Sequence, residues 1–286
     1  MTTTRRSNFA AGLRTTILMA TLGGLLVAIG AIVGGARGAL GFLVFALLIN
    51  FFAYWFSDKI ALASARAKPI SEQEAPGLYA MVRELTTRAG LPMPRLYVIP
   101  SDQPNAFATG RSPKHAAVAV TSGITKLLSE DELRGVISHE LGHVRNRDIL
   151  TQSVASAIGT AITWIAYMLL WFGGEDDTSP LAIVAQLGLV LLAPIAATLI
   201  QLAISRQREF SADATGAQIS GNPEALASAL LRLEAGAQAI PMQVSHATEC
   251  LYIVKPFSGG GIASLFSTHP PIEERVRRLR QMRPAL

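Results

Sequence analysis

Ser138-His139-Glu140-Leu141-Gly142-His143-Val144-Arg145-Asn146 sets two histidines four residues apart, with a glutamate directly after the first. On an α-helix that spacing puts both imidazoles on one face, one turn above the other. Held this way they take two corners of a tetrahedral zinc site, and Glu140 comes within reach of an activated water as its general base. Taken alone, a pattern with three fixed positions also occurs in chains that bind no metal. The flanks supply the helix. Ser129 followed by Glu132 reads as a capping box, Leu133, Val136 and Ile137 form a buried stripe, and the helix is expected to run to about Asp148.

A third ligand is sought further along. In Arg208-Glu209-Phe210-Ser211-Ala212-Asp213 two carboxylates again lie four apart on a helical face. The spacing suits Glu209 as a ligand and Asp213 as a carboxylate accepting a hydrogen bond from a ligand histidine. An isolated Glu/Asp pair equally reads as a solvated helix face. Beside His-Glu-x-x-His the metal reading gains weight, and the expectation is one zinc ion per chain held by His139, His143 and Glu209.

Half of the 286 residues are apolar and only 16% are charged, below the usual quarter for a globular domain. The apolar residues are concentrated. Uncharged runs lie between Arg14 and Arg37, Arg37 and Asp58, Asp148 and Glu175, and Asp177 and Arg206. Each reaches the ~20 residues that a membrane-spanning helix needs. Four buried core helices of this kind in a soluble protein would leave little polar chain to cover them. Spans are therefore expected at about 15–35, 38–57, 150–172 and 181–204. Arg5, Arg6 and Arg14 before the first span, Lys59, Arg66 and Lys68 after the second, and Arg206 and Arg208 after the fourth place those ends in the cytoplasm; Glu175-Asp176-Asp177 fits the outer face. The first run is too long, and too closely followed by another, for a secretory signal. The net charge of +5 comes with no basic stretch interleaved with aromatics, which argues against nucleic acid and for attraction to the lipid bilayer. The single cysteine, Cys250, forms no intrachain disulfide.

Four segments follow: 1–57, an N-terminal transmembrane hairpin; 58–148, the first part of a cytoplasmic domain with the zinc helix; 149–205, a second transmembrane hairpin; and 206–286, the rest of that domain with the third ligand. Within 58–148, Ser71 and Glu74 read as a capping box for a helix ending at Gly90. Strands are expected at Arg95–Ile99, Asn105–Gly110 and Ala116–Thr121. A sheet edge at Asn105, Ala106, Phe107 and Ala108 would lay an extended peptide across the metal. A merely packed hairpin is the other reading. Asn222-Pro223 opens a helix to about Gly236, residues 240–266 show no firm periodicity, and Ile272, Val276 and Leu279 line one side of a basic C-terminal helix.

His139-Glu140-Leu141-Gly142-His143 with Asn146 and Asp148, then Glu209 to Asp213, then Thr268-His269-Pro270-Pro271, resemble the HtpX family of bacterial membrane zinc proteases, relatives of the CAAX prenyl endopeptidases. The resemblance covers nearly the whole chain. It implies an α+β membrane protein, mainly helical, in which four transmembrane helices carry a cytoplasmic gluzincin-type protease domain with a small β-sheet. It also implies zinc ligation by His139, His143 and Glu209, catalysis by Glu140, support of the ligands by Asp213 and Asn146, and degradation of damaged or misfolded membrane proteins at the bacterial inner membrane. His269, in the segment the resemblance picks out and followed by two prolines, is expected to donate to the substrate oxyanion or to cap the last helix. An intramembrane protease is disfavoured by the many charges on the zinc helix. A prenyl-protein endopeptidase, or a membrane chaperone with a relic motif, remain as alternatives.

Overall fold

The computed structural model describes residues 2–158, 206–240, 251–254 and 270–282. Described elements are α1 (Thr2–Ser64), β1 (Lys68–Pro69), α2 (Pro76–Ala89), β2 (Arg95–Ile99), β3 (Ala106–Thr109), β4 (Ala117–Thr121), α3 (Ser122–Leu127), α4 (Glu130–Asn146), a helical stretch at 148–158, α5 (Arg206–Ser220), α6 (Pro223–Ala239) and α7 (Ile272–Arg280). The molecule is mostly helical with one small mixed sheet, ordered β1-β2-β4-β3.

α1 is helical by hydrogen bonding throughout but doubles back. Gly35 sits at φ +56°, in the left-handed region, and Asn50 Nδ2 donates to Met19 O across 31 positions at 3.2 Å. A straight helix would hold those two residues ~45 Å apart at 1.5 Å per residue. The second arm, Gly35–Ser64, is long and apolar enough to cross a membrane. Its side chains Leu40, Val44, Leu47, Leu48 and Phe51 are exposed. Of the later expected spans, only the residues up to 158 are described.

The sheet forms where β-branched and small apolar residues run between turns. β2 pairs parallel with β4 from Arg95↔Ala117 to Ile99↔Thr121, while β3 pairs antiparallel with β4 from Ala106↔Val120 to Thr109↔Ala117. All five residues of β4 are buried, as expected of a central strand covered on both faces. Two boundaries differ from expectation. Ser71 and Glu74 do bond, N–H to Oε2 at 2.7 Å, yet they close a turn and α2 begins only at Pro76. The proline disfavours helical backbone at Ala75 and fits the first helical position, where no N–H is needed. The zinc helix ends at Asn146, because Arg147 adopts φ +61° and its N–H returns to His143 O and Val144 O.

α4 is anchored at its start and buried for the rest. Ser129 and Glu132 make both bonds of the capping box, and the Glu132 carboxylate also accepts from Ser228 Oγ (2.6 Å) and Arg232 Nη1 (2.8 Å) of α6. Val136, Ile137, Leu141 and Val144 join one core with α2, β4 and α6. Two glycines bring α4 against α5. A methyl group on Gly142 would meet Ala212 O at 2.8 Å, and one on Gly216 would meet His139 N at 2.7 Å. Backbone-to-backbone packing of this closeness needs the missing Cβ.

Candidate metal centre

The glycine contacts set Glu209 of α5 opposite the two histidines of α4. His139 Nε2 lies 3.8 Å from Glu209 Oε2, and His143 Nε2 lies 3.4 Å from Glu209 Oε1. The three residues are buried, and one ligand atom from each falls within 4.8 Å of the others. Bonds of about 2.0–2.1 Å to a tetrahedral zinc place neighbouring donors ~3.3–3.5 Å apart. The donor set therefore fits that ion with small side-chain adjustments.

Each imidazole is oriented from behind by a carboxylate. His139 Nδ1 meets Asp213 Oδ1 at 2.9 Å, and His143 Nδ1 meets Asp148 Oδ2 at 3.3 Å. A carboxylate on the far nitrogen fixes the tautomer that leaves Nε2 free to bind. The rings stand edge to face, 4.7 Å between centroids. Asp213 thus sits against the imidazole of His139. Asn146 is not at an imidazole: its carboxamide bridges to Ser211 Oγ (3.3 Å) and Thr215 Oγ1 (3.4 Å) of α5, tying the two helices together. Asp148 supplies the second supporting carboxylate. It can reach back because the left-handed turn at Arg147 folds the chain over the end of α4.

Arg275 was not foreseen as a site residue. Its side chain has no exposed surface, and its Nε and Nη2 grip Asp213 at 2.8 and 2.7 Å. Nη1 donates to Ile253 O at 3.2 Å and lies 3.6 Å from Glu209 Oε2. The sequence did carry a signal, since Arg275 falls on the same stripe of α7 as Ile272, Val276 and Leu279.

Glu140 stands apart from the donor set. Burial pushes its carboxyl up to about 7, the nearby Glu209 carboxylate adds to this, and the Ala108 N–H, which it accepts, opposes it. Its Oε1 is buried with no hydrogen-bond partner among the described residues. A carboxyl poised near neutrality, with one oxygen held and the other free, suits a proton carrier. Burial pulls His143 down, but the Glu209 and Asp148 carboxylates outweigh it and push the imidazole up to about 10. His139 moves the other way: burial lowers it, and Arg275 reinforces burial against the pull of Asp213. For Asp213, burial would raise the carboxyl, but the Arg275 guanidinium overrides this and holds it well below the usual range.

The expected substrate strand adjoins this centre. β3 lies at the end of the sheet, with Ala108 N–H on Glu140. Residues 251–254 run beside it: Ile253 N–H donates to Ala106 O (3.2 Å), Asn105 Nδ2 to Val254 O (3.0 Å), and Phe107 packs edge to face on Tyr252. His269 lies outside the described residues.

Two imidazoles and a carboxylate converging from neighbouring helices, beside a second carboxylate that is not one of the donors, define a metal-dependent hydrolase. The sequence profile of peptidase family M48 matches residues 72–283. The chain belongs to that family and is a metalloprotease. It is 55% identical over 276 residues to a protein named Protease HtpX homolog from Pelotomaculum thermopropionicum, covering 94% of this chain and 98% of that one. A protein of the same name from Burkholderia multivorans is 52% identical over 273 residues, covering 94% and 96%. Among solved structures, S. mikatae Ste24p superposes with a TM-score of 0.53 at 18% identity, over 96% of this chain and 66% of that chain. That likeness is one of fold.

Proposed function

We propose that the chain is a membrane-embedded endopeptidase that hydrolyses peptide bonds of misfolded or damaged membrane proteins, with one zinc ion held by His139, His143 and Glu209. The observation that carries the reading is the Glu140 carboxyl, buried beside the donor cluster and tied to the edge strand by Ala108 N–H. Zinc, when bound, supplies a Lewis acid that polarises the scissile carbonyl and acidifies water. Glu140 takes the water's proton on its free oxygen and delivers it to the leaving amine. Asp213 and Asp148 hold the imidazoles in register, and Arg275 keeps Asp213 ionised. An extended substrate adds along β3, using the rung at Ala106 that Ile253 fills in this structure. His269 is the donor to the substrate oxyanion, a role supported by its place in Thr268-His269-Pro270-Pro271, where two prolines follow it.

The four uncharged runs support four spans, and the basic flanks support a bacterial cytoplasmic membrane with the active site facing the cytoplasm. The test is digestion by the detergent-purified chain of two substrates, casein and an unfolded membrane protein. Both should be cut, a chelator should stop the cutting, and zinc should restore it. Cleavage indifferent to the chelator would refute the metal mechanism. Cleavage of casein alone would refute the substrate class.

A further inference from the structure

The second arm of α1 presents a stripe of exposed apolar side chains: Leu40, Val44, Leu47, Phe51 and Trp55. Their spacing of three and four keeps them on one helical face. The stripe ends in a cleft of about 740 Å³ between the last turns of α1, the start of β2 and the turn that joins β3 to β4. α1 supplies an aromatic wall of Phe51, Trp55 and Phe56 with Lys59 at its end, and the facing β3–β4 turn supplies Arg111 and Lys114. The walls meet where the Arg111 guanidinium lies 4.8 Å from the Trp55 ring centroid, and on α1 itself Lys59 Nζ lies 5.2 Å from that of Phe56.

Charge is unbalanced there. Asp58 is the lone carboxylate lining the cleft, and Arg95 engages it at 2.6 Å. Among the described residues no carboxylate pairs with Lys59, Arg111 or Lys114. Three cations thus stand above an aromatic ledge that continues into a long apolar stripe. Aromatic rings with basic side chains beyond them are what the boundary between hydrocarbon and water selects. We propose that this cleft is a binding site for an anionic phospholipid, with the headgroup phosphate against Arg111, Lys114 and Lys59 and the acyl chains along Phe51 and Trp55. A zwitterionic lipid would bring its own ammonium toward the three cations. A free phosphate would leave the aromatic wall wet. The proposal rests on α1 lying in a membrane, and its test separates the two.

The full chain carrying Trp164→Phe and Trp171→Phe keeps Trp55 as its one tryptophan. It is placed in phosphatidylcholine vesicles containing either brominated phosphatidylglycerol or brominated phosphatidylcholine, and Trp55 fluorescence is followed. Quenching should favour the brominated phosphatidylglycerol, and Arg111→Gln with Lys114→Gln should reduce that preference by roughly five-fold per cation, about 25-fold together. Exposed Lys114→Gln alone, the variant least able to disturb folding, should lose its own share. Millimolar inorganic phosphate should leave the quenching unchanged. Equal quenching by the two lipids in the parent would overturn the site while leaving the membrane placement intact. No quenching by either would overturn both. A preference that survives the double substitution, or that phosphate abolishes, would show a different site or a free-anion site.

Discussion

Arg275 and Asp148 show what a one-dimensional pattern hides at the scale of single residues. His139, Glu140, His143, Glu209 and Asp213 were legible because each stands at helical spacing from a partner of matching chemistry. Arg275 lies 62 positions from Asp213, and no spacing rule links them. Asp148 follows the helix it supports and was out of helical register until Arg147 turned left-handed. The charges around His143 carry a consequence for metal loading. A histidine ligand must shed its proton to bind, and a group pushed up to about 10 holds that proton through the neutral range. Zinc affinity should therefore rise with pH, by about tenfold per unit for the one proton displaced and ~100-fold from pH 6 to pH 8. Competition with a chelator of known pH behaviour measures this. A flat profile would show that His143 is already neutral.

At the scale of elements, the site depends on how closely α5 lies against α4. Gly216→Ala would drive a methyl group to 2.7 Å from His139 N, backbone that has nowhere to go. Overpacking of this kind costs about 1–3 kcal/mol, and relief requires α5 to move away with Glu209. The variant should lose stability by that amount and bind zinc at least tenfold more weakly, each tenfold being about 1.4 kcal/mol. Gly77→Ala in α2, where an added methyl group meets nothing within 4 Å, is the matched control: it should leave zinc affinity unchanged and hold or gain stability, by up to about 1 kcal/mol. Unchanged zinc affinity in Gly216→Ala would mean the helix contact does not position Glu209. α4, β2 and the β3–β4 hairpin were legible because caps, prolines and apolar runs mark them locally. The short β1 and α3 were missed, since their register depends on neighbours: β1 pairs only Lys68↔Val98 and Pro69↔Tyr97. The start of α2 was set by Pro76, against the polar pair that precedes it.

For the whole molecule, apolar run length is a bulk property, and so the membrane reading needs no tertiary detail. α1 doubles back at Gly35, and Asn50 meets Met19 across the two arms. Under this reading both termini and residues 58–148 face the cytoplasm. With Cys250→Ser as background, an impermeant thiol reagent outside the cell should label Asp176→Cys and miss Glu72→Cys. The opposite pattern would invert the protein in its membrane. The proposed hydrolysis requires Glu140 to act on water without holding the metal. Metal analysis and peptide hydrolysis, run together on the purified chain and its Glu140→Gln variant, test that most directly. About one zinc per chain is expected in both proteins, with hydrolysis lost by at least a hundredfold in the variant, the scale of general acid–base catalysis. Hydrolysis at the parent's rate, or zinc missing from the variant, would contradict it.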